Sequence, residues 1–277
     1  MTVSELLILG AAGLFAGILA GFLGIGGGTV LVPLLVALKY APVEAVATSG
    51  LSIVITALSG SIQNWRMGYL NLSKVAGIGF PAVITAQIGA YLTGIFPPYL
   101  LLVSFGLLLW LNIYLIEVRK RLTAQKAEEE DRKESSSITN SQLPITNSNI
   151  LFNPTFAKIA TGSAAGLLAG LFGVGGGVIM VPLQILLLGE SIKKAIQTSL
   201  GVIVITAISA TAGHAARGNV LWVVGLILGG GGLLGAQIST RFLPRLSDRT
   251  ISLAFRSLLA ILSIYVFWQA WQKFSNG

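Results

Sequence analysis

Apolar residues in this chain come in long runs, not in single stripes against a polar face. Five runs precede residue 118, at about 4–22, 29–39, 44–63, 73–93 and 98–118. Five more follow residue 155, at about 156–171, 178–188, 192–213, 219–241 and 249–270. At 1.5 Å of rise per residue, the longer runs form helices that cross a hydrocarbon core of ~30 Å. The second run of each set is too short to do so alone and reads as a re-entrant piece or one part of a broken helix. The pattern predicts an all-α, polytopic helical membrane protein of about 8–10 helical segments. Between the two sets, Arg119 to Asn153 is polar, with Glu128-Glu-Glu-Asp-Arg-Lys-Glu134 followed by Ser, Thr, Asn and Gln. Such a stretch buries little apolar area and reads as a flexible linker.

The two sets are copies of one unit. Gly21-Phe-Leu-Gly-Ile-Gly-Gly-Gly28, with Val32-Pro33-Leu34 after it, recurs as Gly170-Leu-Phe-Gly-Val-Gly-Gly-Gly177 with Val181-Pro182-Leu183, 149 positions later. Gly13 and Gly17 match Gly162 and Gly166 at the same offset. One residue is then inserted. Thr48-Ser49 match Thr198-Ser199, Ile53 to Ala57 repeats identically as Ile203 to Ala207, and Ala86-Gln87-Ile88 repeats as Ala236-Gln237-Ile238. This register predicts an N-terminal membrane repeat over 1–118, a linker over 119–154 and a C-terminal membrane repeat over 155–277.

Charge orients the pieces. With ten crossings and a cytoplasmic linker, fourteen Lys and Arg lie inside, against Lys39, Arg217 and Lys273 outside and Arg256 within a helix. With only eight crossings the split falls to eleven against six. The first arrangement obeys the positive-inside bias better, and its odd number of crossings per half makes the halves inverted. The neutral Gly94–Pro98 turn, facing an Arg-bearing counterpart between Arg241 and Arg249, says the same locally. The expected location is the cytoplasmic membrane, multi-pass. Met1 to Ala20 has no basic n-region and reads as a retained first helix.

Composition narrows the chemistry. Of 277 residues, 54% are hydrophobic and 10% charged, so the net charge of +8 is orientation charge on loops and no nucleic acid is expected. Cysteine is absent and His214 is the single histidine, which excludes disulfides, thiolate chemistry and multi-histidine metal centres. No metal, cofactor or enzymatic activity is expected. Every Asp and Glu falls at a helix end or in a loop, so a buried carboxylate relay has no candidate.

What remains is glycine, hydroxyl and amide. A triple glycine interrupts a helix, and at lipid depth such a break survives only against protein or a water-filled cavity. The helix restarting after it presents free N–H groups and a positive dipole end, which suits an anion. Gly26, Gly27, Gly28 and Thr29, with Gly175, Gly176, Gly177 and Val178, are therefore candidate substrate-binding positions. Gly13/Gly17/Gly21 and Gly162/Gly166/Gly170 read as close helix-packing faces. Thr48, Ser49, Thr198 and Ser199 have hydroxyls for an anion's oxygens, or for back-bonding to their own helices. Asn64 aligns with His214 at an offset of 150, and both are candidates for gating or proton relay, with an interfacial role as the alternative. Gln87 and Gln237 read as interhelical hydrogen-bonding groups or substrate contacts. Arg256 reads as a snorkelling cation or as compensation for a bound anion.

The doubled G-x-G-G-G-x(4)-P-L segments, Gly24 to Leu34 and Gly173 to Leu183, resemble those of the TauE/SafE family of sulfite and organosulfonate permeases. The resemblance covers both halves and omits the linker. It implies a secondary transporter moving a small anion, a sulfur oxyanion such as sulfite or an organosulfonate, by alternating access. Its partners would be the small anion, the lipid bilayer and, as an open option, a second copy of the chain. A non-transporting membrane scaffold or assembly factor and an anion channel are the alternatives.

Overall fold

The computed structural model describes residues 3–114 and 153–275. The polar stretch expected as a linker lies, but for its last two residues, outside them. The described residues form ten α-helices and one 3-10 turn: α1 Val3–Leu23, α2 Gly28–Ala37, α3 Pro42–Arg66, α4 Leu72–Thr93, α5 Pro98–Tyr114, α6 Pro154–Phe172, α7 Gly177–Leu188, α8 Ile192–Ala215, α9 Trp222–Phe242 and α10 Asp248–Ser275, with the turn at Leu243–Arg245. Seven are long and apolar enough to cross a membrane; α2, α5 and α7 are the shorter ones.

The chain stops and starts these helices by local chemistry. Asn71 accepts a bond from the Lys74 amide (3.0 Å) and Asn153 one from the Thr155 amide (3.0 Å), so each caps the helix it precedes. Pro42 and Pro154 occupy first-turn positions, where a missing N–H costs nothing. α9 begins at Trp222, three residues later than the apolar pattern predicts. The Leu221 amide before it is taken by the Thr48 hydroxyl of α3 (3.1 Å), a cap supplied from a helix remote in sequence.

α3 and α8 form the centre and run antiparallel along one another. Gly50 of α3 faces Thr211 of α8, and Gly60 faces Leu200. Around this pair, α1 packs on α9 and α6 on α4. The glycine stripes are those two seams. A Cβ on Gly13 or Gly17 would overlap the carbonyl oxygen of Leu228 or Gly232; on Gly162 or Gly166 it would overlap that of Ile78 or Ala82. Backbones this close gain van der Waals contact that larger side chains would forbid. The same contacts thus occur at matching positions of the two halves. Hydrogen bonds do likewise: Ser59 donates to Leu233 O (2.9 Å), and Ser209 to Val83 O (2.8 Å). α5 lies outside, its Phe105 ring 5.5 Å from that of Phe172.

Candidate functional site

Between α1 and α2, and between α6 and α7, the helix is broken where the triple glycines stand. Gly24, Gly26 and Gly27 have φ of 66°, 74° and 82°, and Gly173, Gly175 and Gly176 have 64°, 70° and 78°. These left-handed angles need glycine, because a Cβ there would crowd the following carbonyl. α2 restarts with Val30 and Leu31 bonded back to Gly27 O (3.1 and 3.2 Å), and α7 with Met180 bonded to Gly176 O (3.1 Å). The amides of Gly28 and Thr29, and of Gly177 and Val178, precede those first intrahelical bonds.

The two breaks meet each other at the centre of the molecule. A Cβ on Gly28 would overlap Gly173 O, and one on Gly177 would overlap Gly24 O. Ser199 donates to Gly24 O (3.0 Å) and Ser49 to Gly173 O (2.8 Å), so each central helix clasps the break of the opposite half. Ile53 and Ile203 wedge between them: each has a methyl within 3.4 Å of a Cβ placed on Gly26 or Gly175. Gly26 to Thr29 and Gly175 to Val178 are all buried.

The hydroxyl candidates divide. Ser49 and Ser199 each have one proton, shared between the carbonyl just named and that of Val46 or Ile196, both at 2.9 Å. Thr48 accepts from Leu221, and Thr198 is buried. Thr29 differs: it is fully buried, and its hydroxyl meets no hydrogen-bond partner. Of the relay candidates, Asn64 and His214 lie at the C-terminal ends of α3 and α8. His214 Nε2 bonds Gly170 O (2.9 Å) at the end of α6, while its Nδ1 is buried without a partner. Asn64, its counterpart on α3, is buried with both side-chain polar atoms unpartnered. One turn before each stands another buried, unpartnered hydroxyl, Ser61 and Thr211. Gln87 donates to Ser209 O (2.5 Å) and Oγ (3.1 Å), an interhelical bond from α4 to α8. Gln237 is half-buried on α9, and Arg256 half-buried on α10. The structure therefore groups the glycines, Thr29, Ser49 and Ser199, brings His214 onto the last turn of α6 before the C-terminal break, and places Gln87, Gln237 and Arg256 on α4, α9 and α10. Among the described residues, no cluster of three or more His, Asp or Glu could hold a metal ion.

The family described as Sulfite exporter TauE/SafE matches residues 9–266, which takes in both breaks and nearly all ten helices. The chain belongs to the TauE/SafE family. Several relatives match along almost their whole length. Probable membrane transporter protein YunE of Bacillus subtilis is 28% identical over 273 residues, 95% of this chain and 97% of that one. A probable membrane transporter protein of Xylella fastidiosa is 27% identical, with 98% of each chain covered. One of Methanocaldococcus jannaschii is 23% identical, with 92% of each covered. No solved structure matches the chain. With its seven candidate spans, this TauE/SafE member is a multi-pass membrane protein.

Sequence reasoning passed over several residues of the centre. Thr206 donates to Gly175 O (2.9 Å), and Thr93 donates to Gly170 O and Leu171 O (both 3.0 Å), supplying partners that the end of a helix lacks. Ile53 and Ile203 were visible as part of an identical pentapeptide, Ile-Val-Ile-Thr-Ala. That pentapeptide could have been read as shared packing around a shared break, as well as a sign of duplication.

Proposed function

We propose that this TauE/SafE member is a secondary carrier for a small sulfur oxyanion, such as sulfite or an organosulfonate. The substrate would bind where the two glycine breaks meet, and access would alternate between the membrane faces. The observation that carries the reading is the pair of helix starts, α2 and α7, whose glycine breaks pack against each other in one buried centre across two halves. An amide-rich helix start stabilises negative charge, and at lipid depth little competing water weakens that interaction.

The halves are read as inverted copies. Support comes from contacts that recur with the halves exchanged: Ser49 on Gly173 and Ser199 on Gly24, Ser59 on Leu233 and Ser209 on Val83. Two such copies have two rocking states of similar energy, one open to each side. α2 and α7 are then the re-entrant or broken pieces. Ser61 with Asn64, and Thr211 with His214, mark polar stations at opposite ends of the central helix pair, suited to gating or proton relay. The linker is placed in the cytoplasm by the excess of Lys and Arg on that side, in the cytoplasmic membrane.

The test is flux into proteoliposomes containing the full chain, with sulfite, an alkylsulfonate, thiosulfate and sulfate as substrates. The expected outcome is saturable uptake of at least one sulfur oxyanion, exceeding that of empty liposomes. Absence of uptake of all four, with correctly inserted protein, would refute the proposal.

A further inference from the structure

The two breaks agree in backbone and disagree in side chains. Thr29, the second residue of α2, stands where α7 has Val178; Ser52 on α3 stands where α8 has Val202. Thr29 and Ser52 are both 0% exposed, and neither hydroxyl has a hydrogen-bond partner. Each is the chain neighbour of a residue at one contact between α2 and α3. Ser52 precedes Ile53, whose Cδ1 lies 2.6 Å from the place of a Cβ on Gly28, and Thr29 follows Gly28. A hydroxyl buried without a partner is costly. The other half is an internal control, for there valine fills the matching places, so packing alone does not require an oxygen.

The neighbouring threonines differ in the same sense. In the second half, Thr206 donates into the break, to Gly175 O (2.9 Å). In the first, its counterpart Thr56 donates back to Ser52 O (2.9 Å) within α3. The C-terminal break is thus satisfied by its own protein, and the N-terminal one keeps two hydroxyl protons for something else. No charged side chain is among the atoms nearest Gly24, Gly26, Gly27 or Gly28, nor among those nearest the matching glycines of the second half.

Resting on the carrier reading above, we propose that the anion is held one-sidedly, at the N-terminal break. Thr29 Oγ1, Ser52 Oγ and the first-turn amides of α2 donate to it. The C-terminal break serves as the structural counterpart that keeps the two loops clasped. The ligand class follows from the donors. Several separate donors need an anion with at least two oxygens. A site built of neutral dipoles, with no Lys or Arg, stabilises one negative charge at lipid depth far better than two. The favoured ligands are singly charged oxyanions, hydrogensulfite or an alkylsulfonate, over a dianion such as sulfate.

The experiment measures binding by ligand-dependent thermal stabilisation of the purified full chain, with methanesulfonate, hydrogensulfite and sulfate as probes. Wild type should bind methanesulfonate or hydrogensulfite at least about tenfold more tightly than sulfate. Thr29→Val and Ser52→Ala should each weaken monoanion binding by about tenfold or more, since a lost donor leaves a substrate oxygen unpaired. Neither should lower the melting temperature without ligand. Thr29→Ser, which keeps the hydroxyl, should retain binding, and so should Thr161→Val, which removes a buried, unpartnered hydroxyl on α6. Unchanged affinity in both Thr29→Val and Ser52→Ala would overturn the one-sided site while leaving the carrier reading intact. Sulfate binding as tight as that of the monoanions would overturn the charge assignment. Failure of wild type to bind any probe, together with no flux in proteoliposomes, would overturn this inference and the carrier reading together.

Discussion

Gly176 holds a φ of 78°, and a Cβ there would overlap the Ala165 carbonyl oxygen. Gly230, on α9, has helical angles and nothing within 4 Å of the same construction. The two therefore respond oppositely to alanine. Gly176→Ala should cost at least about 1–2 kcal/mol from left-handed strain alone, before the overlap is relieved. Gly230→Ala should be neutral or stabilise by up to about 1 kcal/mol, because alanine is the better helix former. Melting temperatures in one detergent check both. Loss of flux in a glycine-break variant bears on substrate only when folded protein is measured beside it. Ser49 and Ser199 belong to the same scale. Each satisfies a carbonyl of the opposite half, and Ser49→Ala or Ser199→Ala should lower stability by about 1 kcal/mol, the net worth of a hydrogen bond. Equal melting temperatures of the two variants and wild type would show that these bonds contribute nothing to the clasp.

At the scale of elements, the central arrangement depends on helices that are deliberately short. α2 has 10 residues and α7 has 12, so neither crosses a hydrocarbon core of ~30 Å alone, and each hangs from a glycine break at one end. At its other end, α7 stops at Gly189, whose φ is 65°. The next residue, Glu190, forms an ion pair with Lys74 near the start of α4. That pair joins the two halves where the polypeptide does not. Their side chains are 12% and 27% exposed, so the pair's worth is about 1 kcal/mol. Lys74→Glu should lower the melting temperature, and the exchange Lys74→Glu with Glu190→Lys should recover most of the loss. No recovery in the double variant would mean that the two charges act separately. The ladder of helix breaks was legible from glycine and proline spacing, because those residues act on their own backbone. The ion pair was not legible, because residues 74 and 190 carry no local sign of each other.

For the whole molecule, the antiparallel course of α3 and α8 and the reciprocal seams α1–α9 and α4–α6 give each half the same surroundings made from the other. The inversion proposed above makes a prediction at this scale. The sequence contains no cysteine, so single cysteines report topology without background. Ile95→Cys, in the turn after α4, and Ser247→Cys, in the turn before α10, should react with a membrane-impermeant maleimide from opposite faces. Ser247→Cys should react from the cytoplasmic face, where the positive-inside bias puts its neighbours Arg245 and Arg249. Labelling of both from the same side would exclude inversion.

The sequence by itself determined the membrane class, the helices and the two breaks. Each follows from interactions within a few residues: apolar runs against a lipid thickness, glycines unable to hold a helix, prolines and asparagines at its start. It also carried the recurring motifs, Gly21 to Gly28 and Gly170 to Gly177 among them, on which the proposed duplication rests. Only the tertiary structure decided which hydroxyls are spent. Ser49, Ser199 and Thr48 find carbonyls and amides more than a hundred residues away, whereas Thr29 and Ser52 find none. A serine's partner depends on which backbone packs against it, and that is settled when helices from two halves dock, not when any one of them forms.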